Sequence, residues 1–253
     1  MVENIKYSKH GPFSYFYVMK GTLWLIPNTL DDGDLVQSLP ATVIEQVKLL
    51  RYFIVENEKN ARRFLVKAGM KALLNEIELG LLNEHTLAGD LEPLILPILK
   101  GTDAGLLSES GCPGIADPGA DLIRLGHSSG IRIKPLVGPS SIIMSVMAGG
   151  LNGQRFVFHG YLPAKPQERI RKIREIESRS KLNQETQVFI EAPYRNRQML
   201  ADLISTLSPD TYLSVSVDLT TETELIKTAR VWEWTGFATD LNKRPAVFSI
   251  LKP

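Results

Sequence analysis

One cysteine, Cys112, stands in 253 residues, which excludes an internal disulfide and every cysteine-rich metal site. The four histidines are scattered and offer no ligand cluster. Net charge is nearly absent as well. Twenty-nine Lys and Arg against 28 Asp and Glu leave +1, so no global field recruits nucleic acid or a membrane surface, and such binding must come from a local patch. No apolar run approaches the roughly 18 residues of a membrane span. Residues 1–20 carry Lys6, Lys9, His10 and Lys20 among aromatics and lack the apolar core of a signal peptide. The expectation is a cytoplasmic protein in a reducing setting, with no membrane partner and no metal. Three common sites are missing too: there is no Gly-x-Gly-x-x-Gly after a strand, no Gly-Lys-Ser/Thr phosphate loop and no Gly-x-Ser-x-Gly elbow. Ordinary dinucleotide, nucleoside-triphosphate and serine-hydrolase chemistry therefore fit poorly.

What is present is a 43% hydrophobic chain, long enough to bury a sizeable core, in which buried strand patterns alternate with helical ones. Strands are expected at Leu23–Ile26, Tyr52–Val55, 104–108 and 131–136, with helices at 40–50, after the N-cap Asn57, and over 90–100. Asp117-Pro118 reads as an N-cap followed by proline at the first helical position. Beyond Gly138 the pattern changes. Strands are expected at 156–158, 187–190 and 212–217, with helices at 166–178 and 195–207. Strands at 224–231 and 246–251 are expected to flank a final helix. The fold class that follows is α/β with two α/β domains: residues 1–137 on a mostly parallel sheet with helices on both faces, and residues 138–253 on a mixed sheet, with a cleft between them.

Two glycine- and proline-rich loops follow buried strands: Ser108-Glu109-Ser110-Gly111-Cys112-Pro113-Gly114-Ile115-Ala116-Asp117-Pro118-Gly119, and Pro135-Leu136-Val137-Gly138-Pro139-Ser140-Ser141. Ligands of open α/β sheets sit outside the carboxyl ends of strands, and glycine lets backbone approach them closely. Either loop alone reads equally well as a tight turn; together, in one β-loop-α-β-loop-α unit, they point to one pocket.

These segments resemble the tetrapyrrole methylase superfamily of S-adenosylmethionine-dependent methyltransferases. Within it they are most similar to the branch that 2′-O-methylates a cytidine ribose in small-subunit ribosomal RNA. The resemblance runs from about Gly21 to Leu251. That branch's Ser-Asp-Ala-Gly-Thr-Pro-Gly-Ile-Ser-Asp-Pro-Gly stands here as 108–119, and its Pro-Leu-Pro-Gly-Pro-Ser-Ala as 135–141. Its Gly-Phe-Leu-Pro-Ala-Lys corresponds to Gly160-Tyr161-Leu162-Pro163-Ala164-Lys165, its Tyr-Glu-Ser-Pro-His-Arg to Ile190-Glu191-Ala192-Pro193-Tyr194-Arg195, and its opening Pro-Thr-Pro-Ile-Gly-Asn loop to the segment around Pro27. Three segments depart from the pattern. Ala-Glu-Asp-Thr-Arg is Val55-Glu56-Asn57-Glu58-Lys59, Arg-Glu-Leu-Thr-Lys is Val217-Asp218-Leu219-Thr220-Thr221, and Lys-Gly-Glu is Lys243-Arg244-Pro245. Residues 1–18 lie outside the resemblance, so Met19 is expected to be the native start and 1–18 an extra or non-native segment.

The resemblance implies a donor, S-adenosylmethionine, leaving as S-adenosylhomocysteine, held by Pro27, Glu109, Ser110, Gly111, Cys112, Gly138, Ser140, Ser141 and Leu162. Ribosomal RNA or the small ribosomal subunit would be the partner, and the protein a homodimer. A ribose hydroxyl is a poor nucleophile that benefits from a general base; the carboxyls at strand ends are Glu56, Glu191 and Asp218, which the residues themselves do not rank, and Glu191 is preferred only because its matching segment is intact. Glu191 and Arg195 read equally well as a structural ion pair. For RNA contacts the candidates are Lys165, Arg169, Arg195 and His85. The helix bearing Lys165, Arg169, Arg171, Lys172 and Arg174 also carries Ile170, Ile173 and Ile176, so a solvated amphipathic helix is the competing account. Asp31, Asp32 and Asp34 suit a Gly/Asp turn as well as a cation. Cys112 reads as a small packing residue. Two other functions compete: the same donor with a tetrapyrrole or other small acceptor, and a non-catalytic relative that binds donor or RNA.

Overall fold

The computed structural model describes residues 19–236 and 240–253; the segment 1–18, expected to be an extra one, lies outside them. The first half is a five-stranded sheet of β1 (Thr22–Ile26), β2 (Tyr52–Val55), β3 (Glu78–Leu81), β4 (Ala104–Leu107) and β5 (Arg132–Pro135). The strand order is β3-β2-β4-β1-β5, and every pairing is parallel. Parallel strands need crossovers. These are α1 (Leu35–Ser38) with α2 (Ala41–Lys48), α3 (Glu58–Lys67), α4 (Leu91–Leu99) and α5 (Gly119–Ser128).

Side-chain alternation decides which helix covers which face. Ile26, Phe53 and Val55 pack with Leu35, Val47, Phe64 and Leu65 of α1–α3. Leu23, Tyr52 and Ile54 point the other way, against Leu94, Ile98 and Leu122 of α4 and α5. The sheet is therefore covered on both faces, as expected. The chain leaves β1 toward one face and leaves its neighbour β4 toward the other. A crevice opens between the ends of these two strands, where such switch points hold ligands.

The second sheet is mixed, in the order β6-β7-β10-β8-β9: β6 (Phe156–Tyr161) runs parallel to β7 (Thr186–Glu191). The pairings β7–β10, β10–β8 and β8–β9 are antiparallel, with β8 at Tyr212–Val217, β9 at Leu225–Arg230 and β10 at Ala246–Leu251. Helix α6 (Ser141–Gly149) covers one face, with Ile142 on Val188 and Val247. Helices α7 (Pro166–Asn183) and α8 (Asn196–Thr206) cover the other, placing Ile173, Ile176, Met199 and Leu203 on Phe189, Val215 and Phe248.

Besides the short α1 and a 3-10 turn at Lys71–Glu76, which were not anticipated, two further elements differ from the sequence expectation. Strand β3 was not anticipated, because Glu78-Leu79-Gly80-Leu81 is short, contains glycine and lies at a sheet edge. Gly80 is required there, since a Cβ would come within 2.7 Å of Leu94 and 2.8 Å of the Tyr52 hydroxyl. In place of the expected final helix, the described residues hold a 3-10 turn, Val231–Trp234, and 237–239 of that stretch lie outside them. The turn buries Trp234 in the core and gives way to Gly236 at φ +82°.

Where the first half hands over to the second, Gly138 has a steric reason to be glycine: a Cβ would lie 2.2 Å from Cγ and 2.4 Å from Cβ of Pro27, a rigid, buried ring. Gly138→Ala is expected to lower stability by about 1–3 kcal/mol through overpacking, read as a fall in Tm.

Candidate active site

The loops after β1 and β4 are stitched together by an antiparallel bridge. Asn28 N donates to Gly111 O at 2.9 Å and Gly111 N to Asn28 O at 3.2 Å, while Asn28 Nδ2 donates to the carbonyls of Ser108 and Glu109. Gly111 sits at φ +69° and Gly114 at +77°, which this doubled-back path requires. Asp117 braces the loop from inside: Oδ1 accepts from Gly114 N at 3.0 Å and Gly119 N at 2.8 Å, and Oδ2 from Ser108 Oγ at 3.0 Å. The N-cap of α5 is Pro118, one residue later than expected and without a side-chain cap bond, and Asp117 instead pins the loop.

Between this loop and the second sheet lies a cavity of about 410 Å³, within the range of small-molecule sites. Ser110, Gly111 and Cys112 line it from the first half, and Ser140 and Ser141 at the start of α6, with Tyr161, Ile190, Glu191, Ser216 and Asp218, from the second. Ser140 caps α6, its Oγ accepting from Ile143 N at 3.4 Å. The Cys112 thiol donates to Pro139 O at 3.4 Å, and burial raises its pKa, which disfavours the thiolate. Two buried polar atoms of lining residues, Glu191 Oε2 and Ser216 Oγ, have no hydrogen-bond partner. Such unmet capacity is unusual in an interior and suits a polar ligand.

Of the other sequence candidates, Asp31 also lines this cavity and the rest lie off it. Leu162 is in the core beside Ile173 and Phe189, because its side chain falls on the face of β6–β7 covered by α7. Pro27 and Gly138 back the wall against each other. Glu109 points away, its Oε2 accepting from Asn60 Nδ2 at 2.5 Å. Asp31 and Asp34 serve the turn, accepting from Gly33 N and Val36 N, and no group of three potential ligands assembles for a metal ion among the described residues.

The three candidate bases have different surroundings. The Glu191 carboxylate is fully buried with Arg195 at 2.5 Å, and the same Oε1 accepts from Ala192 N at 2.7 Å. Asp218, at φ +48°, accepts from Arg244 Nε at 2.6 Å and Thr223 Oγ1 at 2.9 Å. Arg244 was not anticipated. It stands 26 residues from Asp218 and meets it because β8 and β10 pair in the register Val217–Ala246. Glu56 lies across the loop, in a second cavity of about 610 Å³ with Asn57, Asn83, Glu84, His85 and Asp117; Ala116 lines both cavities. Burial, then the charge and hydrogen bond of Asp117, then Glu109 and Glu84, push the Glu56 carboxyl up to about 7. His85, on the same cavity, is largely exposed, 3.7 Å from Glu84.

The expected RNA-contacting helix is mostly self-neutralised. Arg169 is 3% exposed, bonded to Asp202 at 2.6 Å and to the carbonyls of Pro163 and Ala164. It is unavailable to a phosphate, because the α7 stripe that carries Ile173 and Ile176 also turns Arg169 inward. Lys165 pairs with Glu168 and Lys172 with Glu175. Arg169→Ala is expected to cost about 3 kcal/mol by leaving Asp202 buried without its cation, measurable by denaturant titration.

No protein-family model matches the chain. Ribosomal RNA small subunit methyltransferase I of Xylella fastidiosa (strain Temecula1) is 33% identical over 198 residues, 78% of this chain and 69% of that protein. The chain belongs to the ribosomal RNA small subunit methyltransferase I family. The enzymes of that name from Escherichia coli O157:H7 and Pseudomonas aeruginosa PAO1 are 29% and 27% identical. They cover 85% and 88% of this chain, which spans 71% and 76% of their lengths. Among solved structures, uroporphyrin-III-C-methyltransferase from Thermus thermophilus superposes with a TM-score of 0.53 at 17% identity, over 92% of this chain and 93% of its own; that likeness shows the fold. As a member of the ribosomal RNA small subunit methyltransferase I family the protein is a methyltransferase. No helix of the described residues is long and apolar enough to cross a membrane.

Proposed function

We propose that the protein transfers a methyl group from S-adenosylmethionine to a ribose 2′-hydroxyl of small-subunit ribosomal RNA, with Glu56 as the general base. The observation that carries this reading is the juxtaposition of two cavities across Ala116, one lined by the glycine loop and serine hydroxyls, the other by a carboxyl poised near neutrality. Names of the relatives supply the acceptor class.

The 410 Å³ cavity fits the donor. Backbone of Ser110, Gly111 and Cys112 would lie against it, Ser140 and Ser141 would meet its polar end at the start of α6, and Ser216 Oγ and Glu191 Oε2 would find partners in its amine and hydroxyl groups. When bound, the donor supplies a methyl group on sulfonium, already activated, and departs as S-adenosylhomocysteine. The protein's own task is alignment, exclusion of water and removal of one proton. Glu56 suits the last task, since a base with a pKa near the working pH combines ionised population with proton affinity. In Glu191, Oε1 is committed to Arg195 and Ala192 N; in Asp218, Oδ2 is committed to Arg244. Both support the loops around the cavity. His85 lines the same cavity as Glu56 and would meet the acceptor there. The reading also carries a homodimer, a cytoplasmic setting, and a division of the chain into 1–137 and 138–253.

The deciding experiment supplies tritiated donor with small subunits from cells lacking this enzyme. One labelled nucleotide whose 3′ phosphodiester resists alkali is the expected product, because a methylated 2′-oxygen no longer attacks it. Labelling of a porphyrinoid precursor instead would transfer the reading to a small acceptor, and no turnover with any acceptor would leave a binding protein.

A further inference from the structure

We propose that α3 is the ridge on which the RNA backbone docks, guiding one nucleotide into the cavity of Glu56; this rests on the ribosomal RNA reading above. The segment Lys59 to Asn75 holds Lys59, Arg62, Arg63, Lys67 and Lys71 and no carboxylate, in a chain whose net charge is only +1. At about 100° per residue, Lys59, Arg62, Arg63 and Lys67 fall within about 140° of the helix circumference and span about 12 Å of its axis. All four are exposed. Lys59, Arg62 and Arg63 form no ion pair among the described residues, whereas on α7 Lys165, Arg169 and Lys172 each hold a carboxylate. An unneutralised basic strip is what a polyanion displaces counterions from.

Its position suits the site. Asn57, the N-cap of α3, lines the Glu56 cavity, and Arg63 and Lys67 line a neighbouring cavity of about 290 Å³ with Asn28, Thr29 and Asp31. Asp31 in turn lines the 410 Å³ cavity. The helix is also tied to both loops of the site. Asn60 Nδ2 donates to Glu109 at 2.5 Å, and Lys67 Nζ to the carbonyls of Asp32 at 2.6 Å and Gly33 at 3.1 Å. The carboxylates nearby are Glu58 at the start of the helix, Asp31, Asp32 and Glu109 around the small cavity, and Glu84 and Asp117 beside Glu56. They repel phosphates from the cavities themselves. The backbone is thereby kept on the ridge, and a ribose and its base, which carry no charge, can enter.

The test measures affinity for small ribosomal subunits as a function of salt, for the wild type, the Lys59→Glu/Arg62→Glu/Arg63→Glu variant, its Gln counterpart, and Arg171→Glu/Arg174→Glu on α7. The α3 reversal is expected to weaken binding by roughly tenfold or more and to flatten the plot of log affinity against log salt by about 2, from three lost contacts at about 0.7 each. The Gln variant should fall between, the α7 variant should stay within about twofold, and donor affinity and Tm should match the wild type in all. Unchanged affinity and slope in the α3 variants, or an equal loss from α7, overturns the ridge while leaving the RNA reading intact. A wild type that binds and methylates no small subunit overturns the RNA reading and the ridge with it.

Discussion

Glu56→Gln is expected to lower methyl transfer by about 10²–10⁴-fold, the usual contribution of a positioned base, while leaving donor affinity unchanged. Glutamine keeps the shape and loses only the basic oxygen. In the wild type, kcat/KM should rise with pH through about 7, where Glu56 ionises, and level off above it; in the variant that rise should vanish. The same substitution should make the fold more stable. Glu56 titrates near 7 in the folded protein and near the ordinary 4.5 when unfolded. Between those values the folded state binds more protons, so stability falls as pH increases and the full cost is present above about 7. Because much of the group still meets solvent, the gain from removing it is on the order of 1 kcal/mol, or about 2–4 °C in Tm at alkaline pH. A variant that is more stable and inactive is the expected signature of a group held out of its preferred state for function. Activity within threefold of wild type would move the base to Glu191 or Asp218.

Gly111→Trp is expected to reduce affinity for S-adenosylmethionine and S-adenosylhomocysteine by at least about 100-fold, about 2.7 kcal/mol, in a calorimetric titration. A Cβ at this position would lie 3.5 Å from Leu30 Cδ2 and 3.7 Å from Pro139 O, which leaves room for a first carbon and sends the indole into the cavity. The left-handed backbone at φ +69° adds a cost on the order of 1–2 kcal/mol to the fold. Ala116 at +55° and Asp218 at +48° show that this chain tolerates side chains there, so Tm should fall modestly and the protein remain folded. Retention of donor affinity would remove the cavity from the reaction, and with it the pairing of the two cavities across Ala116.

Sequence order alone determined the alternation of strands and helices, the mostly parallel first sheet, the mixed second one, and the two loops at strand ends. Those features rest on local chemistry: hydrophobic period, N-caps such as Asn57 and Ser140, and glycines at turns. The motif positions of Ser110, Gly111, Cys112, Ser140 and Ser141 likewise needed only their order along the chain. Tertiary structure decided what the charged residues do. Arg169 looked like a phosphate contact until packing turned it onto Asp202, and Lys165 and Lys172 were neutralised by carboxylates one helical turn away. Among three carboxyls only the intact segment around Glu191 set one apart along the chain. Arg195 then took Glu191, a β8–β10 register brought Arg244 to Asp218, and folding gathered Asp117, Glu109 and Glu84 around Glu56. A charge interacts through space with whatever the fold brings within a few ångströms, and its proton affinity depends on how much water is left there. Neither is encoded in nearest-neighbour order, which is why the loops at the strand ends were legible in the sequence and the surroundings of each ionisable group were not.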